Sequence, residues 1–279
     1  VRYRGVKRAG SVAGAYTNAK IGVVQLVTDG HYRAKVMLAV GALVAIGVVA
    51  LARAHLRTDR MQERLLAALP DAVADDPSLV RFAVAQAKPL YARHCAACHG
   101  ADLHGNAQVG APDLTDDVWL YGDGSLYDIE RTILYGARAG VSNSHDEAEM
   151  PAFGLRGVLS DAQVRSLVQY VLQLSGRPYQ VEAANDGRAL YFGVANCGDC
   201  HGPDARGNND YGAPDLTRNV WSNGGDPQSL YTSIYAGRHR VMPAWRGTLN
   251  LEQIRSLATY VYAASHPQGA PVTAPGGAS

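Results

Sequence analysis

Cys95-Ala96-Ala97-Cys98-His99 and Cys197-Gly198-Asp199-Cys200-His201 contain every cysteine of this 279-residue chain. Two thiols spaced by two residues, with a histidine directly after, match the attachment site of a c-type haem. The spacing lets both thiols reach the two vinyl groups of one porphyrin as thioethers, while the histidine lies beneath the ring and offers a nitrogen to the iron. A zinc site would call for two further Cys or His ligands at matching spacing, and a redox dithiol has no use for the histidine twice. The chain therefore reads as a redox carrier with two covalently bound haem c groups. Its four cysteines are all thioether donors, Cys95, Cys98, Cys197 and Cys200, so no structural disulfide is expected.

Working outward, the motif belongs to a repeat of whole-domain size. Gly110-Ala111-Pro112-Asp113-Leu114-Thr115 returns as Gly212-Ala213-Pro214-Asp215-Leu216-Thr217, and Trp119 returns as Trp221, each 102 residues on, the same offset as Cys95 to Cys197. Further matches are Ser125-Leu126-Tyr127 with Ser229-Leu230-Tyr231, Met150-Pro151-Ala152-Phe153 with Met242-Pro243-Ala244-Trp245, and Arg165-Ser166-Leu167 with Arg255-Ser256-Leu257. A unit of about 100 residues has a modest core, and an apolar porphyrin plate offsets the shortage.

Helix signals fall around the motifs. Asp186 reads as the cap of a helix running through Leu190 and Tyr191, and Pro89 suits the first turn of its counterpart before Cys95. Ser160 with Gln163, and Asn250 with Gln253, have capping-box spacing ahead of the last helix of each repeat. Val164, Leu167, Val168, Val171 and Leu172 follow the spacing of one apolar helix face. No run suggests a sheet, so the expected class is all-α: two tandem class I cytochrome c-like domains at 79–178 and 179–267.

The sixth iron position decides between electron transfer and catalysis. Met150 and Met242 sit in matching loops ahead of the last helices, two of only four methionines in the chain. A thioether opposite imidazole favours ferrous iron and closes the site to oxygen or peroxide. The metal ligands are therefore His99, Met150, His201 and Met242. The first repeat carries an insertion, Ala139 to Glu149, whose His145 competes as a ligand, although the stretch His145-Asp146-Glu147-Ala148-Glu149 reads as a solvated loop. His94 and His104 read as surface or propionate-facing residues, and His239 is a weak competitor of Met242.

Val36 to Ala52 is uncharged and apolar, 17 residues at the lower limit for a bilayer span. It is expected to be one retained anchor at 36–52, preceded by a cytoplasmic segment at 1–35, with a core helix or a cleaved leader as the alternatives. The overall charge of +1 hides an asymmetry: residues 1–78 hold 11 Lys or Arg against 6 Asp or Glu, whereas 79–178 hold 8 against 11 and 179–279 hold 7 against 8. Basic residues before the apolar run outnumber those after it, which favours an N-in, C-out topology. Haem attachment on the periplasmic side agrees with this, placing both haem domains in the periplasm of a bacterial inner membrane. Residues 53–78 read as a linker with a short helix opened by Asp59 and Gln62 and stopped at Pro70, and residues 268–279 as a disordered tail.

These residues, together with Asp76-Pro77 and Asp113-Leu114-Thr115-Asp116-Asp117-Val118-Trp119-Leu120-Tyr121-Gly122, resemble subunit III of cbb3-type cytochrome c oxidases over about residues 71–265. The resemblance implies a membrane-anchored dihaem subunit that is not itself catalytic. It would take electrons from a soluble c-type cytochrome donor and pass them to the catalytic subunit of the oxidase complex. Carried onto this chain, it pairs His99 with Met150 and His201 with Met242. No nucleic-acid partner is expected. A dihaem subunit of another periplasmic dehydrogenase shares almost every feature and stays open at this point, as does a dihaem peroxidase.

Overall fold

The computed structural model describes residues 30–267; residues 1–29 of the N-terminal segment and the tail at 268–279 lie outside the described residues. The chain divides into an N-terminal unit ending at Arg60 and a compact body from Met61 onward.

The N-terminal unit is built on helix α1, Gly30–Ala67, which continues into the body. It is the one helix among the described residues long and apolar enough to cross a membrane, and none of its apolar window is buried. Its 38 residues correspond to about 57 Å of rise. The boundary expected at Ala52 is absent, and Asp59 does not open a new helix. Between Ala52 and Ala67 the chain contains neither Gly nor Pro and is rich in Arg, Ala and Leu, so nothing interrupts propagation. Pro70 does end the run, as its ring geometry requires.

In the body, a 3-10 turn at Asp71–Val73 precedes α2, Pro77–His94, and the single turn α3, Ala96–His99. Then follow α4, Leu126–Tyr135, and α5, Asp161–Leu174. The second half repeats the order: α6, Val181–Phe192; α7, Gly198–His201; α8, Pro227–Ala236; α9, Leu251–Ser265. Among the described residues there is no strand, only isolated bridges.

Two helix starts differ from the sequence reading. Asp76, not Pro89, opens α2: its carboxylate accepts from the Ser78 and Leu79 backbone N–H groups with Pro77 at the first position, and the helix runs through Pro89. Asp186 lies inside α6, which begins after Gln180. Ser125 caps α4, but α8 is capped by Asp226 ahead of Pro227, so Ser229 is inside that helix. Both expected capping boxes form, Ser160 with Gln163 and Asn250 with Gln253.

The helices do not pack in sequence order. The last helix of the first repeat, α5, packs on α6 and α8, whereas α9 packs on α2 and α4. Equivalent side chains make equivalent contacts across the exchange. Tyr91 of α2 meets Tyr260 of α9 edge-on at 5.4 Å, and Tyr191 of α6 meets Tyr170 of α5 edge-on at 5.4 Å. The methionine loops cross over as well. Met242 and Ala137 exchange backbone hydrogen bonds at 2.9 and 3.0 Å, and Arg238 N–H donates to the Met150 carbonyl at 3.2 Å. Gly237 makes the second crossing possible: its φ is +71°, and a Cβ there would stand 2.5 Å from the Met150 carbonyl oxygen.

The boundary at 178/179 therefore divides the sequence repeat but not the packing. Two cores result. One gathers α2, α4 and α9 with Leu65 and Val73; the other gathers α5, α6 and α8.

Candidate functional site

Each Cys-x-x-Cys-His motif forms the turn after a long helix. Cys95 N–H closes onto the Tyr91 carbonyl at 2.8 Å, and Cys197 N–H onto that of Tyr191 at 2.9 Å. The same tyrosines fix the far end of the motif, since the Tyr91 hydroxyl donates to the Gly100 carbonyl at 2.8 Å and the Tyr191 hydroxyl to that of Gly202 at 2.7 Å. The four cysteines form no disulfide with one another, and burial pushes the thiols of Cys95 and Cys197 up to about 11.

The two histidines are oriented alike. His99 Nδ1 lies 3.3 Å from the Pro112 carbonyl and His201 Nδ1 lies 3.0 Å from that of Pro214. These carbonyls belong to the repeated Gly-Ala-Pro-Asp-Leu-Thr segment, which explains its place in the sequence. A carbonyl can only accept, so Nδ1 carries the proton and Nε2 is left as the ligating atom. Burial holds both imidazoles below the usual histidine range, with the carbonyl contact opposing it; the neutral ring is the form a metal binds.

Around His201 lies a cavity of about 840 Å³. Met150, Cys197 and Cys200 line it together with Phe153, Leu167, Val171, Leu216, Leu230 and Trp221. Met242 is elsewhere: it packs against the core that holds Cys95, Leu114 and Trp119. This placement differs from the in-line pairing of each histidine with the methionine of its own repeat. Met150 shares its site with His201, and Met242 sits in the core of the His99 motif, because each methionine travels with the exchanged last helix.

The insertion also departs from expectation. His145 is not solvated but buried, 7% exposed, stacked on the Tyr121 ring at 4.1 Å and 3.2 Å from the Thr132 hydroxyl through Nε2. Burial and the neighbouring Arg131 lower its pKa. It lines neither candidate site and anchors its loop. His239 pairs with Glu149 at 3.3 Å, His94 contacts the edge of Trp245 at 5.2 Å, and exposed His104 bonds Asp113 at 2.9 Å. That Asp113 contact raises the His104 pKa.

The sequence reading missed three arginines. Arg138, Arg238 and Arg240 line the His201 cavity. A signal was present, since Tyr135-Gly136-Ala137-Arg138 and Tyr235-Ala236-Gly237-Arg238 are equivalent in the two repeats.

The fit to haem can be judged on this geometry. Both motifs present two thiols beside a neutral, oriented imidazole, and the cavity at His201 is apolar on its walls, within the 300–1,000 Å³ range of cofactor sites. The donor set of imidazole and thioether is that of a closed electron-transfer iron.

Comparison with known proteins agrees. A family model described as cytochrome c oxidase, cbb3-type, subunit III matches residues 82–171 and 182–261. The chain is 40% identical over 207 residues to the cbb3-type cytochrome c oxidase subunit FixP of a Bradyrhizobium species, strain ORS 278, covering 74% of this chain and 69% of that protein. It is 37% identical over 191 residues to subunit CcoP of Cereibacter sphaeroides, covering 68% of this chain and 64% of that protein. The chain thus spans about two thirds of the length of these relatives.

Proposed function

Because the chain belongs to the family of cbb3-type cytochrome c oxidase subunit III, we propose that it is a membrane-anchored electron relay holding two haems c. Cys95 and Cys98 would tether one haem and Cys197 and Cys200 the other. The axial ligands would be His99 with Met242 at the first and His201 with Met150 at the second. When bound, each haem would supply one-electron chemistry.

The residues of this chain do the rest. Pro112 and Pro214 carbonyls hold the imidazoles in one tautomer, which fixes the ligating nitrogen. The Met150 and Met242 sulfurs would supply the second protein donors and so close the iron to oxygen or peroxide. The apolar part of the wall, with Phe153, Leu167, Val171, Leu216 and Leu230, together with the sulfur ligand would favour the ferrous state. In this reading the subunit moves electrons and leaves bond chemistry to the catalytic subunit.

Helix α1 would hold the relay at the membrane, with both haem sites on the periplasmic side, as the basic excess before the apolar run supports. The partners would be a soluble c-type cytochrome as donor and the other oxidase subunits as acceptors. The observation that carries this reading is the pair of equivalent Cys-Cys-His motifs, each with a methionine of the other repeat packed against the same core.

The test uses a full-length Cys197→Ser/Cys200→Ser variant, which keeps only the first attachment site. In that background Met242→Ala is expected to remove the sulfur-to-iron charge-transfer band and let the reduced protein bind carbon monoxide stoichiometrically. Met150→Ala is expected to leave both readouts unchanged. The reverse result would restore the in-line pairing, and carbon monoxide binding before either methionine is changed would point to an enzyme or a gas sensor.

A further inference from the structure

Five arginines of the described body reach a carboxylate. Arg64 pairs with Asp76, Arg165 with Asp161, Arg206 with Asp204, Arg218 with Asp117 and Arg255 with Glu130. The arginines of the His201 cavity do not. Arg238 donates to the Ser233 hydroxyl at 2.9 Å and the Ser229 carbonyl at 3.4 Å. Arg240 donates to the Gln108 carbonyl at 3.3 Å. Arg138 donates to the Arg240 carbonyl at 2.6 Å and the Tyr121 hydroxyl at 2.8 Å. All of these partners are neutral.

Carboxylates that line the same cavity are already engaged. Asp113 bonds His104 and Thr115, Glu149 pairs with His239, Asp199 takes the Asn196 amide, and Asp116 accepts the Val118 N–H. Half-buried guanidinium groups next to one another, without a counter-charge, are costly. The same end of the cavity holds a second incomplete group, the buried Asn223 Oδ1, which has no hydrogen-bond partner. Asn223 and Arg240 flank Gly110, where an added Cβ would stand 2.5 Å from Asn223 Oδ1 and 3.0 Å from Arg240 Nε. A cavity whose walls are apolar thus ends in unneutralised cations.

We propose that Arg238 and Arg240 bind the two propionate carboxylates of the haem held at Cys197 and Cys200, with Arg138 positioning Arg240 through its backbone carbonyl. The inference rests on the haem reading above and adds the residues that neutralise and orient the cofactor. The planar guanidinium donates two parallel hydrogen bonds to a carboxylate, which a compact ammonium cannot reproduce. A cation fixed at this edge also disfavours the ferric state, which carries one more positive charge than the ferrous, so it raises the potential of the second haem.

The experiment uses the full-length dihaem protein with Arg238→Gln, Arg240→Gln, Arg238→Lys and Arg240→Lys. Arg206→Gln is the control, a side chain 72% exposed whose loss removes the same charge from the surface. The readouts are the haem-to-protein ratio and the two midpoint potentials from a spectroelectrochemical titration. Each Gln variant is expected to keep two haems and to lower one potential by about tenfold in the ferrous-to-ferric ratio, or about 59 mV for one electron. The Lys variants are expected to recover most of that shift, and Arg206→Gln to cause little. Gln variants that shift no further than the control, or Lys variants that recover nothing, would overturn the assignment. Should a Gln variant lose the second haem, its Lys counterpart decides: retained haem and potential support the proposal, and loss of either sinks it. A parent protein with fewer than two haems would instead overturn the haem reading itself.

Discussion

Gly187 stands on α6 where that helix meets α5. A Cβ at this position would collide with the Ser166 carbonyl oxygen and approach the Tyr170 Cβ to 2.9 Å. Its equivalent in the first repeat is Ala87, buried with no exposure in the core shared with α9. The two interfaces use the same residue types in different closeness: α5 and α6 touch backbone to backbone, while α2 and α9 leave room for a methyl. Gly187→Ala is therefore expected to destabilise the second core by about 1–3 kcal/mol, the usual cost of overpacking against backbone that cannot yield. Ala87→Gly is expected to cost less, about 0.5–1 kcal/mol of helix propensity plus a small void. Guanidinium unfolding followed by circular dichroism measures both, and the sulfur-to-iron band of the second haem should be lost first in Gly187→Ala. A Gly187→Ala protein as stable as the parent would refute the tight crossing.

At the scale of elements, α9 differs from α5 because it also holds the end of α1. Arg255, 6% exposed, bonds both oxygens of the equally buried Glu130 on α4, and its NH1 donates to the Leu65 carbonyl at 3.0 Å and the Ala68 carbonyl at 2.7 Å. These carbonyls sit at the C-terminal end of α1, where no helical N–H follows to bond them. The equivalent residue on α5, Arg165, is exposed, with Asp161 one turn away as its ion-pair partner and the Tyr231 ring beneath its guanidinium. Arg255→Met should strand Glu130 as a buried charge and cost about 3–5 kcal/mol, whereas Glu130→Leu/Arg255→Met should recover most of it. Thermal unfolding of the three proteins measures this, and proteolysis near Pro70 should rise in Arg255→Met. The Arg-Ser-Leu repeat was legible in the sequence, as were both capping boxes and the apolar face from Val164 to Leu172. The different fates of Arg165 and Arg255 were not, because they depend on a third element, α1, that only the first core receives. The early starts of α2 and α6 were hidden for a related reason: Pro89 and Asp186 are good helix-start residues by type, but upstream Asp76 and the chain after Gln180 had already nucleated the turn.

The exchange of last helices belongs to the whole molecule, and no local pattern could announce it. Ser166 and Ser256, Tyr170 and Tyr260, Met150 and Met242 are matched so closely that either helix could in principle cover either motif; what selects the partner is the crossing of the two methionine loops beside Ala137 and Arg238. Contacts between the halves support the same arrangement: the Arg218–Asp117 ion pair at 2.7 Å and a hydrogen bond from the Asn209 amide to the Gly122 carbonyl. Neither repeat then completes its own core. A chain ending at residue 178 would keep Cys95, Cys98 and His99 yet lose α9, which covers α2 and α4, and with it Met242; its own α5 would expose the face that normally meets α6. Burying an apolar side chain contributes about 1.5–3 kcal/mol, and α9 alone brings Ile254, Leu257, Val261 and Tyr262 into the first core, so the shortened chain forfeits most of that core's margin. Expressed with haem attachment intact, it is expected to bind one haem covalently, to lack the sulfur-to-iron band, to bind carbon monoxide when reduced, and to unfold without a cooperative transition. Co-expression with a chain covering 179–279 should restore the band, because the missing helix and sulfur return together. A shortened chain that already showed a six-coordinate, cooperatively folded haem would mean that the first repeat closes on itself and that the exchange is wrong.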